Sequence, residues 1–161
     1  VIDPQAPVVR TAGFPEDTDA VASLVRDYLL QTEAEKVERG LADANAPLGD
    51  RYAREIADPA AAFADKRTLV ATLDGVPCGV LIVGAADADG DEIKRFWTSP
   101  ASRGRGVGRA LLRHAIADSA RPLRLSVWAW RENAIGMYLS LGFTPVESWD
   151  PRPDLVCMRL A

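Results

Sequence analysis

Between Arg103 and Arg109 the chain reads Arg-Gly-Arg-Gly-Val-Gly-Arg, with a glycine at every second position. The segment joins a run of strand character, Glu92 to Thr98, to a run of helical spacing, Gly106 to about Ser119, whose Val107, Ala110, Leu111 and Ala115 share one face. Glycine has no Cβ, so such a backbone can approach a ligand closely. The first N–H groups of the helix point back into the loop, and the helix dipole adds partial positive charge. This is a nest for a phosphate or pyrophosphate, and the interleaved arginines favour an anion further. The bland alternative is a glycine-rich helix cap with solvated arginines. Two common phosphate loops do not fit: a GxGxxG from Gly104 needs glycine or alanine where Arg109 stands, and no GK[ST] follows. The spacing satisfies [RQ]-x-x-G-x-[GA] through Arg103, Gly106 and Gly108.

The rest of the chain places this loop in a mixed α/β sheet. Val8 to Thr11 is a short strand candidate, and Val21, Leu24, Val25, Tyr28 and Leu29 give residues 15–31 the spacing of an amphipathic helix. Residues 32–50 are polar and predict a helical tail and a loop; Arg51 to Ala57 predicts a short helix stopped by Pro59. Thr68–Leu73 and Val76–Val83 flank Asp74-Gly75, a strong hairpin signal because both residues tolerate positive φ. A second turn, Ala88-Asp89-Gly90-Asp91, leads into the strand ending at Thr98. Leu123–Trp128 is a strand, Asn133–Leu141 a helix closed by Gly142, and Phe143–Val146 and Leu155–Leu160 finish the sheet. Strands joined first by hairpins and then by a crossover helix define the fold class. With no repeat and no low-complexity linker, residues 1–161 read as a single domain.

Composition removes several functions. The chain has 161 residues, 48% of them hydrophobic, and a net charge of −4, which disfavours duplex DNA or an anionic membrane as partner. No stretch nears the roughly 18 apolar residues of a membrane span, and Val1-Ile2-Asp3-Pro4 lacks the layout of a signal peptide. A cytoplasmic protein is expected. Cys78 and Cys157 lie in apolar runs and read as reduced core residues; one histidine, His114, and no His/Cys cluster predict no metal site. His114, seven residues after Val107, reads as packing or surface. Sixteen of the nineteen basic residues are arginine, read here as compositional bias.

Glu92 to Leu112 resembles the acetyl-CoA-binding motif of the GNAT (Gcn5-related N-acetyltransferase) family, and Ala134 to Phe143 is similar to the family's later A-I-x-x-Y-x-x-L-G-F motif. The resemblance implies a GNAT fold: a mixed, mostly antiparallel sheet of about six or seven strands, flanked by helices, whose fourth and fifth strands splay apart around the pantetheine arm. It implies acetyl-CoA as cosubstrate, with Arg103, Gly104, Arg105, Gly106, Val107, Gly108 and Arg109 at its pyrophosphate and the backbone of Phe96, Trp97 and Thr98 paired with pantetheine. Tyr138 falls at the general-acid position; a phenol of pKa about 10 can protonate a leaving thiolate, although the residue also reads as a packed ring. Glu92 matches the strand glutamate that serves as base in some relatives, or is a solvated strand-start charge. A base has work to do, because an alkylammonium of pKa about 10.4 is only about one part in a thousand neutral near pH 7.4. Arg131 stands where the family often has asparagine, and Asn133 reads as a cofactor contact or as the helix N-cap.

The implied reaction transfers acetyl by direct attack of a primary amine, on a small molecule or a peptide. A catalytically silent acyl-CoA-binding module is the alternative, and a nucleotide-dependent dehydrogenase is disfavoured by Arg109. Glu33, Glu35, Glu38, Asp43 and Asp50 form either an acidic rim for a cationic amine or a solvated face. Trp128 and Trp130 suit an acceptor wall or core packing. Lys94 and Arg95 read as structural charges or as contacts to a substrate carboxylate. A homodimer through the last strands stays open.

Overall fold

A computed structural model describes residues 6–88 and 90–161. The Val1-Ile2-Asp3-Pro4 start and Asp89 of the second turn lie outside the described residues. The strands are β1 (Val8–Thr11), β2 (Arg67–Leu73), β3 (Val76–Asp87), β4 (Gly90–Thr98), β5 (Leu123–Trp128), β6 (Thr144–Val146) and β7 (Leu155–Leu160); the helices are α1 (Thr18–Glu38), α2 (Asp50–Ala57), α3 (Pro59–Ala62), α4 (Val107–Asp118) and α5 (Glu132–Ser140). The strands form one sheet in the order β1-β2-β3-β4-β5-β7-β6. Every neighbouring pair is antiparallel except β4 and β5, which run parallel because α4 carries the chain back across the sheet.

Local chemistry explains most boundaries. Asp74 and Gly75 take φ values of 49° and 77°, the paired positive angles of the tightest hairpin turn. After α5, Gly142 takes φ 98°, its N–H bonds Leu139 O and the Phe143 N–H reaches Tyr138 O, so two orphan carbonyls are satisfied and the helix stops. Two expectations need correction. Pro59 does more than stop α2: it opens α3 at the first helical position, where its missing N–H costs nothing, and Asp58 caps the turn by accepting the Ala61 N–H. β3 runs four residues beyond Val83, because a tight second hairpin pairs Ala85 with Asp91 and Asp87 with Gly90.

Apolar residues lie on both faces of the sheet. Leu111, Leu112 and Ala115 of α4 pack with Leu69, Leu81, Leu125, Tyr138 and Phe143; Val21, Leu24, Val25 and Leu29 of α1 pack with Val70, Val80, Ile82 and Trp97. β4 serves both cores through a bulge. Ile82 faces Lys94 while Val80 faces Trp97, so β4 holds one extra residue there, and Arg95 takes φ 52°. Ile93 and Phe96 therefore join the α4 core, and Trp97 turns to the α1 core.

β1 is locked to the start of α1 by Asp17, which accepts from Arg10 at 2.6 and 2.8 Å and from the Gly13 N–H at 2.7 Å. The guanidinium bonds, and then the Gly13 bond, lower the Asp17 pKa to about 2. An unfolded aspartate titrates near 3.9, so this contribution to stability is complete above that value and disappears as pH falls through about 2. Asp17→Asn should cost about 1–2 kcal/mol in urea denaturation at pH 7, and should flatten the loss of stability between pH 4 and 2.

Candidate active site

β4 and β5 pair at two positions only, Asp91 with Leu123 and Glu92 with Arg124, and then part. The parting opens a groove of about 1060 Å³ that runs from the loop before α4, between the strands, to the space beneath α1 and α2. At the loop end Gly104 and Gly106 take φ 78° and 82°, and a Cβ on either would meet no atom within 4 Å. No side chain caps α4, so the first-turn N–H groups of Val107, Gly108 and Arg109 have no intrahelical acceptor. An open cradle lined by free N–H donors is what an anionic phosphate group needs. Gly108 is held closer, because a Cβ there would lie 3.2 Å from the Phe96 ring.

Midway along the groove stands Tyr138 of α5, 5% exposed, with ring centroids 6.1 Å from Phe96 and 5.9 Å from Phe143. Among the described residues its hydroxyl has no hydrogen-bond partner. Burial pushes its pKa well above the ordinary phenol value, Tyr28 adds to the rise, and Arg131 offsets part of it. The side chain is thus a neutral donor at any physiological pH. Glu92 lines the same groove where the strands begin to part, largely buried, with Lys94 Nζ 3.6 Å from its Oε2.

The groove gathers Tyr138, Glu92, Phe96, Trp97, Thr98, Arg103, Gly104, Gly106, Val107, Gly108, Arg109 and Asn133; Arg105 is exposed and does not line it. Several side chains have specific engagements. Arg103 lies 4.7 Å over the Trp97 ring and donates from Nε to the Thr98 carbonyl at 3.2 Å, which occupies one backbone acceptor of β4. Arg109 reaches Ser140 of α5 at 3.1 Å. Asn133 is not the N-cap of α5: Arg131 takes that place, and Asn133 stands in the first turn. Arg131 is committed to α1, donating to Glu35 Oε2 at 3.0 and 2.7 Å and to Thr32 Oγ1 at 2.8 Å. His114 pairs with Asp118 on the surface at 3.1 Å, and Cys78 and Cys157 are buried free thiols. Among the described residues no cluster of His, Cys, Asp or Glu is placed to hold a metal ion, and no helix is long and apolar enough to cross a membrane.

The acidic-rim reading fails. Of its five carboxylates only Glu35 lines the groove, and it accepts from Gln31, Trp130 Nε1 and Arg131. Burial works to raise its pKa, but those hydrogen bonds prevail and the net shift is downward. Glu33 pairs with Lys36 at 2.8 Å. Nine basic and four acidic side chains line the groove, the reverse of the chain's overall balance.

The arginines also have a structural use that composition hid. All four tryptophans line the groove, and each carries a guanidinium: Arg103 on Trp97, Arg152 on Trp128 at 5.4 Å, Arg39 on Trp130 at 4.1 Å and Arg124 on Trp149 at 4.4 Å. Trp128 and Trp130 stack on one another, centroids 4.7 Å apart, so Arg39, Trp130, Trp128 and Arg152 form one continuous pile along the lip. Arg95 lies 5.1 Å over Tyr52 and forms a buried bidentate pair with Glu55 at 2.7 and 2.8 Å. The sequence held one signal for this, the alternation of Trp128 and Trp130; Glu35, Glu55 and Arg152 carried none.

An open cradle of free N–H donors thus leads, along one groove, to a buried phenol. Residues 64–145 match the family model described as an acetyltransferase (GNAT) domain, and the chain belongs to that family. It is 31% identical over 140 residues to the mycothiol acetyltransferase of Nocardia farcinica, a match that covers 86% of this chain and 43% of that protein. The chain thus spans less than half the length of this curated relative. Two solved structures share the fold: yncA of Salmonella typhimurium, with its cofactor acetyl-CoA, has a TM-score of 0.68 at 23% identity over 96% of this chain and 93% of that one. An acetyltransferase from Thermus thermophilus has a TM-score of 0.70 at 17% identity over 99% of both chains. The expected family and its splayed mixed sheet are borne out.

Arg131→Met leaves the partly buried Glu35 carboxylate without its main partner. A loss of about 1–3 kcal/mol is expected in urea denaturation, together with altered tryptophan emission as Trp130 is released; unchanged stability would show that the tie between α1 and α5 is dispensable.

Proposed function

We propose that residues 1–161 form one cytoplasmic N-acetyltransferase domain that moves an acetyl group from acetyl-CoA to a primary amine of a small molecule or peptide by direct attack. The observation that carries this reading is the continuity of the groove from the uncapped start of α4 to the unpartnered Tyr138 hydroxyl. The cradle fits a diphosphate: free N–H donors from Gly104 to Arg109 would hold it, Arg103 and Arg109 lie within reach of its charge, and no side chain fills the space. The edge of Phe96, Trp97 and Thr98 facing the parted β5 would take the pantetheine amides as a further strand. Asn133, at the start of α5, would add a polar contact. When bound, acetyl-CoA supplies an activated thioester.

The chain's own residues do the rest. Tyr138 keeps its proton on Oη at neutral pH and presents it to the thiolate side of the slit. The low-dielectric setting that raises its pKa also raises the proton affinity of any thiolate beside it, so the two shifts largely cancel in the transfer. Glu92 takes a proton from the acceptor ammonium, directly or through water, while Phe96, Tyr138 and Phe143 exclude bulk water from the slit. Positioning of amine and thioester in one groove contributes the largest share of the rate.

An acceptor panel with acetyl-CoA, read by released thiol, tests the reading; failure with every amine despite tight CoA binding would leave a silent binding module. Gly106→Val forces a β-branched residue into φ 82° and should weaken CoA binding about tenfold or more by calorimetry, whereas unchanged affinity removes the cradle role. Tyr138→Phe and Glu92→Gln should each lower kcat about 100-fold with little change in CoA affinity.

A further inference from the structure

Beneath α2, at the end of the groove away from the cradle, lies a hollow of about 480 Å³. Arg51, Lys94 and Arg95 line both cavities, so the two adjoin. Five cations line the hollow together with two carboxylates, Glu55 and Asp58. Glu55 is spent on Arg95, from which it accepts at 2.7 and 2.8 Å, Lys66 pairs with Asp65 at 2.9 Å, and Asp58 Oδ1 caps α3, so Arg51, Arg54 and Lys94 carry the surplus. Arg51 Nε is left 3.6 Å from Glu55 with its side chain 62% exposed, and Lys94 Nζ stands 3.6 Å from Glu92, both beyond hydrogen-bond length. Tyr28 and Tyr52 also line the groove, and among the described residues neither hydroxyl has a hydrogen-bond partner.

We propose that the amine acceptor also carries an anionic group, a carboxylate or a phosphate, held at the mouth of this hollow by Arg51 and Lys94 with the phenols of Tyr28 and Tyr52. The proposal rests on the acetyltransferase reading above and narrows its substrate class. An anion there places the acceptor's amine toward Glu92, which shares β4 with Lys94, and the acceptor spans from the hollow to the slit.

The test uses the full chain and matched ligands: α-amino acids against their α-amides, and O-phosphoethanolamine against ethanolamine. Binding is read by tryptophan fluorescence, since every tryptophan lines the groove, and turnover by released thiol. Anionic members of the pairs should bind and react at least about tenfold better, and Arg51→Met should abolish the preference. Arg113→Met, an exposed charge change on α4 outside both cavities, should leave the preference intact. Which pair responds separates carboxylate from phosphate. Acetylation of the neutral partners at equal or higher efficiency overturns the proposal and leaves the acetyltransferase reading standing. Arg51-dependent binding of the anionic ligands without any acetylation supports the anion site and overturns the transferase reading. Equal loss of the preference in Arg51→Met and Arg113→Met overturns the proposal too, because net charge alone then explains it.

Discussion

The site exists because two parallel strands stop pairing. β4 and β5 hold together through Glu92 and Arg124 and then separate, leaving two strand edges facing one another inside a sheet. Backbone groups on such edges are costly to bury without partners. Here they are not buried empty, because they border an open groove, and one of them, the Thr98 carbonyl, already accepts from Arg103. Phe96 from β4, Tyr138 from α5 and Phe143 after it pack against one another in the core beside the parting. The phenol thus belongs to that core and also lines the groove.

The bulge at Arg95 is the second requirement. A non-glycine residue at φ 52° is strained by about 1 kcal/mol or more. Its guanidinium is held from α2 by both oxygens of Glu55 and lies over Tyr52, so helix and bulge stabilise one another. Burial disfavours the Arg95 charge, but the Glu55 bonds outweigh it and its pKa rises. Without the extra residue, strand alternation would carry Trp97 to the same face as Ile93, and the α1 core would lose its largest strand side chain. The strain thus falls where one strand must serve two cores and border a groove.

What the sequence made legible follows from range. The Asp74-Gly75 turn, the Gly142 stop and the cradle are determined by residues within a few positions of each other, and all were readable. Tyr138 and Glu92, named from their places in such local motifs, both line the groove. The bulge left no mark, since arginine is an unexpected residue at positive φ. Glu35 meets Arg131 across 96 positions and Glu55 meets Arg95 across 40, so neither partner could be named from spacing. Read in isolation, the glutamates of α1 looked like a rim for cations; folded, the one that reaches the groove is already engaged.

Net charge hides a feature of the groove for a related reason. A chain-wide balance of −4 says nothing about which charges share a cavity, and here the basic residues concentrate on the groove while most acids face solvent or act as their partners. Stacking explains how so many cations are tolerated together. A guanidinium over an indole is fixed in orientation by the ring quadrupole and still keeps its in-plane donors available. Arg39 uses those donors on the Glu35 carbonyl, Arg152 on Asp150 and Arg103 on Thr98. The aromatic wall therefore holds its cations in register along the groove.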